Sequence, residues 1–442
     1  MSGSVDIGAA LTRGIVGTAG LRAAQAVLAL LTAVVLARLL APEGYGAYSF
    51  AMAIVAFLAI PSELGVPGLA VREIAVANAR GDWPRMRIFI AWSHRNVAAV
   101  SLVVLLATAL VLFLARDRID GERLACLWLG LLLVPLVSLG ALRSAMLQGL
   151  KRVVLGQMPE FVVRPAVFLG LIGVLLLSGR VLESASGAMA LQIVAIAVSF
   201  SVGLLLFARH RPAGLRVAER AAVDGLWWRS AIAFGMFAAM RLVNGRTDVL
   251  ALGLFHDDAE VGIYRVAVQL ATSIIFGLQI VNPIQGPHLA HIYAAGDMQA
   301  FQRVVTRTSR IVFAITVPAV CAVVLFGKPI IALVFGSAYE GAYLPLVILA
   351  AGQLVNASMG SVGSVLNMTG HERDTVRSLV AGAAVNVALN LLLTPQMGMM
   401  GAAAATSASL VTWNLLMWRQ VRTRLDVETS VFGGKRRWTP ES

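Results

Sequence analysis

The chain has 442 residues, of which 58% are hydrophobic and only 13% charged, and its formal net charge is +13. Soluble domains carry about 25% charged residues, so this composition, with a mean hydropathy of +0.81, excludes an ordinary water-soluble enzyme. A nucleic-acid-binding domain would gather its cations into one soluble patch, whereas here the 36 Lys and Arg are scattered over short connections between apolar runs.

Each apolar run of about 20 residues is long enough to cross a hydrocarbon core of about 30 Å. Breaks at charged residues, Pro and Gly predict spans over 15–40, 46–71, 89–114, 124–148, 161–179, 187–208, 230–255, 261–285, 309–327, 343–367, 378–394 and 401–418. The first run follows a short leader containing Arg13. It is too long for a signal-peptide core and lacks a clear small-residue cleavage site, so it reads as a retained span. Cys126 and Cys321 fall inside apolar runs and supply neither a disulfide framework nor a metal-ligand spacing.

Twelve spans put both termini on one side. If that side is cytoplasmic, the termini and even-numbered connections hold 25 of the 36 basic residues. Six fall outside (Arg38, Arg116, Arg118, Arg123, Arg180, Lys328) and five lie within spans. The positive-inside rule therefore predicts cytoplasmic termini. No connection exceeds about 25 residues, which leaves no room for a folded soluble domain. The expected organisation is an N-terminal six-helix lobe at 1–208, a cytoplasmic linker at 209–229, a C-terminal six-helix lobe at 230–420 and a basic cytoplasmic tail at 421–442.

An internal echo supports two lobes. Gly-x-Tyr-x-x-Ala occurs at Gly46, Tyr48 and Ala51 and again at Gly262, Tyr264 and Ala267, an offset of 216 residues. Val35-Leu36-Ala37 and Val249-Leu250-Ala251 precede the two copies, and "QGLKR" (148–152) is echoed by "TGHER" (369–373). Duplication of a unit with an even number of spans gives parallel repeats about an axis along the membrane normal, an arrangement that transporters use. The predicted fold class is an all-α polytopic membrane protein, with about twelve transmembrane helices in two parallel six-helix lobes around a central cavity. Each copy of the motif opens the second span of its lobe from the outer face, where a Tyr suits the interface belt.

Charges inside spans are costly and mark partners or pathways. Span one sets Thr18, Arg22, Gln25, Ala29 and Thr32 within a narrow arc of one helix. Glu63 in span two lies at a depth similar to Arg22, so an Arg22–Glu63 ion pair competes with two independent functional groups. Span seven, "MRLVNGRTDVL" (240–250), places Arg241, Asn244 and Asp248 on one face and Arg246 roughly opposite. Span eight carries Arg265, Gln269, Thr272, Phe276 and Gln279 on one stripe. Arg143 in span four needs a partner or a snorkelling route. Asn386 and Asn390 form an i, i+4 pair suited to bonding across helices, and Glu160 with Arg164 reads as a local surface pair. The intramembrane cations outnumber the acids. A pathway lined this way favours anions, and guanidinium is well shaped for phosphate. The sequence has no nucleotide-binding loop and no nucleophile–base arrangement.

The stretches "LARLLAPEGYGAYSFA" (36–51), "ELGVPGLAVREIA" (63–75), "RTDVLALGLFHDDAEVGIYRVA" (246–267), "GKPIIALVFGSAYEGA" (327–342) and "NVALNLLLTPQMGMMGAAAAT" (386–406) occur in an order and spacing that resemble a known family. It is that of the polysaccharide biosynthesis proteins, the Wzx-like flippases of the multidrug/oligosaccharidyl-lipid/polysaccharide (MOP) exporter superfamily. The resemblance implies a transporter of the bacterial cytoplasmic (inner) membrane. It would move a lipid-linked oligosaccharide, usually carried on undecaprenyl pyrophosphate, from the cytoplasmic to the periplasmic leaflet for surface polysaccharide synthesis. It also implies a polymerase and glycosyltransferases of the same pathway as partners, besides the bilayer itself. Asp248 falls where the family commonly has an acidic residue. On the helical stripes, with no family rule fixing Arg22 or Arg265, the expected substrate-binding residues are Arg22, Gln25, Arg241, Asn244, Arg246, Arg265 and Gln269. Asp248 and Glu63 are the expected coupling residues for H+ or Na+, with no bound cofactor and no enzymatic step.

Three rival readings stand beside this one. A multidrug exporter of the same superfamily would carry organic cations and want acids or aromatics in its cavity. A membrane polymerase or glycosyltransferase would want a large outer loop, whereas the outer acids here (Asp117, Asp120, Glu122, Asp257, Asp258) read as solvated loop charge. A structural scaffold leaves the polar stripes without a purpose.

Overall fold

A computed structural model of the chain describes residues 2–216, 227–275, 285–286 and 288–433, with side chains from residue 17 onward except that of residue 216. Among the described residues all regular structure is helical. The elements are α1 (Ser2–Glu63), α2 (Val66–Arg80), α3 (Trp83–Ala115), α4 (Gly121–Gly149), α5 (Val153–Met158), α6 (Arg164–Leu177), α7 (Ala185–His210), α8 (Trp227–Phe255), α9 (Asp258–Ile274), α10 (Met298–Val334), α11 (Tyr343–Met359), α12 (Val362–Met368) and α13 (Glu372–Leu425). Eight helical stretches among these residues are long and apolar enough to cross a membrane, which makes the chain a multi-pass membrane protein.

Two expected separations are instead kinks. Helix α1 runs through spans one and two, bent at Ala41 (φ 55°, ψ 175°), where the following Pro42 disfavours the helical region. Helix α13 runs through spans eleven and twelve, bent at Gly398 (φ 54°, ψ −135°). Span two also ends earlier than its hydrophobicity suggested. Leu64 and Gly65 adopt positive φ, and α2 begins afresh at Val66. The bend is tight against α8, because a Cβ on Gly65 would lie 2.1 Å from the Gly235 nitrogen. Spans seven and eight, as α8 and the described 17 residues of α9, are not among the eight apolar stretches. Helix α8 carries three arginines and an aspartate.

The chain divides into two compact units, Met1–Leu242 and Val243–Ser442, with the division falling inside α8. The linker expected at 209–229 lies partly outside the described residues, as do 434–442 of the expected tail.

In the first unit α4 is the central helix, packed by α1, α2, α3 and α7. One end is closed by aromatic packing. Trp227 at the start of α8 meets Phe89 edge-on at 5.1 Å and Trp92 at 5.2 Å. In the second unit α11 packs on α9, α10 and α13, and the core around Phe301, Val305, Leu366 and Val421 is buried.

A duplicated start is legible in the caps. Gly81-Asp82 precedes α3 and Gly296-Asp297 precedes α10. Both glycines have positive φ (67° and 75°), which a Cβ disfavours. Asp82 accepts from the Arg85 amide at 3.1 Å and Asp297 from that of Ala300 at 2.8 Å, each supplying a missing helical partner.

The chain does not leave the second unit at the end of α13. Residues 426–433 turn back across α10 and α11. Val427 is buried in the core, the Gln302 amide exchanges two hydrogen bonds with the Glu428 backbone (2.6 and 2.9 Å), and the Val431 amide donates to Ser358 O at 2.9 Å.

Candidate functional site

The first unit holds the span-one stripe. The Arg22 guanidinium is half-buried, donates to Gln25 Oε1 at 3.3 Å and lies 4.8 Å from the Phe161 ring centroid. Among the described residues no ion pair joins Arg22 to Glu63, so the alternative of a structural pair is set aside. A cation over an aromatic face with one amide partner keeps its charge unneutralised. Arg22 also lies within the field of a second cation, Arg241.

Glu63 faces another space, a cavity of about 480 Å³ lined by Ser144, Gln148, Gln157, Glu160 and Phe161 among others. The two glutamates there feel each other's charge. Glu160 is bound by Arg164 at 2.6 Å, as its i, i+4 spacing predicted. This pair lies at a single π turn, Pro159–Val163, a feature frequent at functional sites.

Arg143 proves to be architectural. Its Nη1 donates to Phe200 O at 2.6 Å and its guanidinium lies 4.9 Å from that ring. Gly203 makes the space, since a Cβ there would sit 2.2 Å from the Arg143 Cζ. The partner sought for this buried cation is thus a backbone carbonyl of α7, not an acid.

The second unit holds a buried polar column. Asp248 accepts from its neighbour's amide (Val249, 2.8 Å), from the Tyr264 hydroxyl at 2.7 Å and from the Thr406 hydroxyl at 3.2 Å. One turn earlier, Asn244 donates to Leu379 O at 3.1 Å and accepts from Ser409 at 3.1 Å, while Ser409 is also bonded to Gly382 O at 2.8 Å. Both α8 residues therefore point into α13. Gly382 allows this, with Trp413 and the Asn244 amide filling the place of a side chain. Among the described residues Asn386 and Asn390 do not bond across helices. Asn390 donates to Asn386 O at 2.9 Å within α13 and accepts from Thr394 at 3.1 Å. At the end of the column, His256 bonds Thr394 O at 2.8 Å and Glu260 at 2.9 Å, and Glu260 accepts from the Met399 amide at 2.6 Å beyond the Gly398 kink.

The expected site residues thus separate. Asn244 and Asp248 are buried, Arg246, Arg265 and Gln269 are half-buried and Arg241 is exposed, so the face shared by Arg241, Asn244 and Asp248 is only partly sequestered. Phe276 and Gln279 of the span-eight stripe lie outside the described residues. The repeated tyrosines are not interfacial: Tyr48 and Tyr264 are both buried, and Tyr264 completes the Asp248 site. Sequence reasoning missed Tyr264, Thr406 and Ser409. The available signal was that a buried aspartate needs donors, and Tyr264 is the nearest phenol in the sequence after it.

Intramembrane cations, a buried carboxylate ringed by hydroxyls and an all-helical multi-pass fold are the features of a membrane transporter. The fold is similar to a solved multidrug resistance MATE family transporter of the MOP superfamily in an inward-facing conformation (TM-score 0.73, 12% identity, covering 92% of this chain and 98% of that one). It is also similar to the lipid II flippase MurJ (TM-score 0.69, 12% identity, 90% and 86% covered). These likenesses establish the MOP transporter fold. By sequence, residues 11–286 match the polysaccharide biosynthesis protein family, and the chain belongs to it. The "Probable low-salt glycan biosynthesis flippase Agl15" of Haloferax volcanii is 22% identical over 387 residues, covering 86% of this chain and 77% of that protein.

Proposed function

We propose that the protein is a flippase that carries a lipid-linked oligosaccharide with an anionic, pyrophosphate-type linkage across the bacterial inner membrane by alternating access, with undecaprenyl the favoured carrier. The observation that carries this reading is Arg22, held by Gln25 over the Phe161 ring with no carboxylate partner among the described residues, beside the second cation of the same unit, Arg241. A phosphate between them relieves their repulsion and offers guanidinium its preferred planar acceptor. Membership of the polysaccharide biosynthesis family and similarity to a glycan flippase along most of the chain support the glycan as cargo.

A charged headgroup cannot cross hydrocarbon unaided. A polar path substitutes for water around it while the polyprenyl tail stays in lipid. Moving negative charge outward is favoured by an inside-negative potential by about 2.3 kcal/mol per charge per 100 mV. The basic residues at the termini and even-numbered connections support cytoplasmic termini. Gln25 orients Arg22, and Arg246, Arg265, Gln269 and Asn244 are the proposed substrate-contacting residues of the second unit. Glu63 and Asp248 are the proposed H+ or Na+ sites. Glu63 shares its cavity with Glu160, and a cation between the two relieves like-charge repulsion. The pathway's polymerase and glycosyltransferases are the proposed partners.

The same acidic cavity favours one second reading, a cation-coupled exporter of organic cations. The two readings separate in a strain lacking its own flippase. Restoration of surface glycan by the wild type, and its loss in Arg22→Ala with Arg241→Ala at normal protein level, supports the first. Dye resistance without glycan display supports the second.

A further inference from the structure

The two units share a device beyond the caps of α3 and α10. In each, the chain that follows α7 or α13 folds back beside the basic start of α3 or α10 and walls a cavity there. In the first unit, α7 leads into a short 3-10 turn at Ala213–Arg216, with Gly214 against the Trp83 ring and Leu215 packed on the core. The resulting cavity, about 370 Å³, is lined by Arg87, Ile90, Phe207, Arg211 and Leu215. In the second unit, α13 leads into the returning segment 426–433, whose last described residue, Gly433, accepts from Arg310 at 2.9 Å. The cavity there, about 420 Å³, holds Arg303, Thr306, Arg307 and Ile311 beside Gly433. Arg87 and Arg303 are 216 residues apart, as are Ile90 and Thr306, the offset of the Gly-x-Tyr-x-x-Ala repeat. Among the described residues no Asp or Glu lines the second cavity.

What lies above each cavity on the helix specifies the ligand. From Arg87, an exposed stripe runs through Ala91, Arg95 and Ala98 to Leu102, Leu106 and Leu110. From Arg303 and Arg307, one runs through Ile311, Ala314 and Pro318 to Leu325. Each begins cationic at the rim of a cavity and ends apolar, three to six turns along a helix long enough to cross the bilayer. An anion with a long hydrocarbon part matches this order of surfaces, and a free anion matches only its first turn.

We propose that each repeat carries a headgroup site for an anionic glycerophospholipid, with its phosphate held by Arg87 and Arg211 in the first unit and by Arg303 and Arg307 in the second, and its acyl chains along α3 or α10. Arg310 serves the second site indirectly, by fixing the wall through Val431 O and Gly433 O. These sites bind lipid that stays in place and are separate from the cargo residues. The proposal therefore stands or falls independently of the glycan reading.

Native mass spectrometry of the full-length protein, with phosphatidylglycerol or phosphatidylcholine supplied in turn, tests it. The wild type should retain two phosphatidylglycerol molecules in excess of phosphatidylcholine. Arg87→Ala with Arg211→Ala should remove one, Arg303→Ala with Arg307→Ala the other, and the matching Lys variants should keep both. Wild-type retention by the fourfold Ala variant, or equal retention of phosphatidylcholine by the wild type, would overturn the proposal. Displacement of the lipid by excess inorganic phosphate would do so as well, assigning the cavities to the free anion.

Discussion

Tyr264 donates its phenolic hydrogen to Asp248 across 2.7 Å, and both side chains are buried in the second unit. The tyrosine belongs to a motif present twice, yet only the second copy has an aspartate opposite it. Tyr48 in the first copy stacks near Phe168 instead, at 6.4 Å. The repeat thus keeps a buried aromatic position, and in the second unit its hydroxyl serves Asp248. Tyr264→Phe keeps the ring and removes the donor. A buried carboxylate losing a hydrogen bond costs about 1–3 kcal/mol, so the variant should unfold earlier in detergent by differential scanning fluorimetry.

Gly203 and Arg143 form a second dependent pair, because the guanidinium occupies the place of a side chain on α7. Gly203→Ala should cost about 1–3 kcal/mol, as overpacking does. Adding Arg143→Met should recover part of that loss, and a double-mutant cycle by chemical denaturation reads the coupling.

Gly398 sits at φ 54°, ψ −135°, with Glu260 Oε1 where its Cβ would be. Gly398→Ala should both strain the kink and displace the carboxylate that caps the second half of α13. A loss of order 1–3 kcal/mol is expected, together with faster hydrogen exchange at Met399.

Glu428 fastens the returning segment. Burial works to raise its pKa, but hydrogen bonds from the Trp418 indole and the Ser430 amide, with Arg422 nearby, more than offset this and hold it below the ordinary value. A carboxyl depressed in the folded state stabilises above its unfolded pKa of about 4.3 and loses that contribution as pH falls below it. Hydrogen exchange over 426–433 should therefore quicken on acidification through that range, relative to the intrinsic rate. Glu428→Gln should be fast at neutral pH and show little of this dependence.

Much of this molecule is legible in its sequence, because the bilayer leaves few options for long apolar runs. The all-helical multi-pass fold and the local Glu160–Arg164 pair follow from composition and spacing. The kinks at Ala41 and Gly398 were not legible as continuous helix, since each rests on one residue's backbone conformation. Arg143 could not be assigned a partner because its acceptor is a main-chain carbonyl, which every residue possesses. Tyr264 was misplaced because a tyrosine near a span end fits an interface and a buried site equally well. Only the position of Asp248, sixteen residues before it, decides between them.

The central claim is transbilayer movement of an anionic lipid-linked glycan, and liposomes containing the purified protein test it most directly. The measurement is the rate at which undecaprenyl pyrophosphate-linked oligosaccharide, loaded in one leaflet, becomes accessible to a membrane-impermeant sugar-oxidising probe in the other. Wild-type protein should raise this rate well above that of empty liposomes, and Arg22→Ala with Arg241→Ala should return it to the empty-liposome level without changing the melting temperature. A wild-type rate equal to that of empty liposomes, or an unimpaired double variant, would contradict the account.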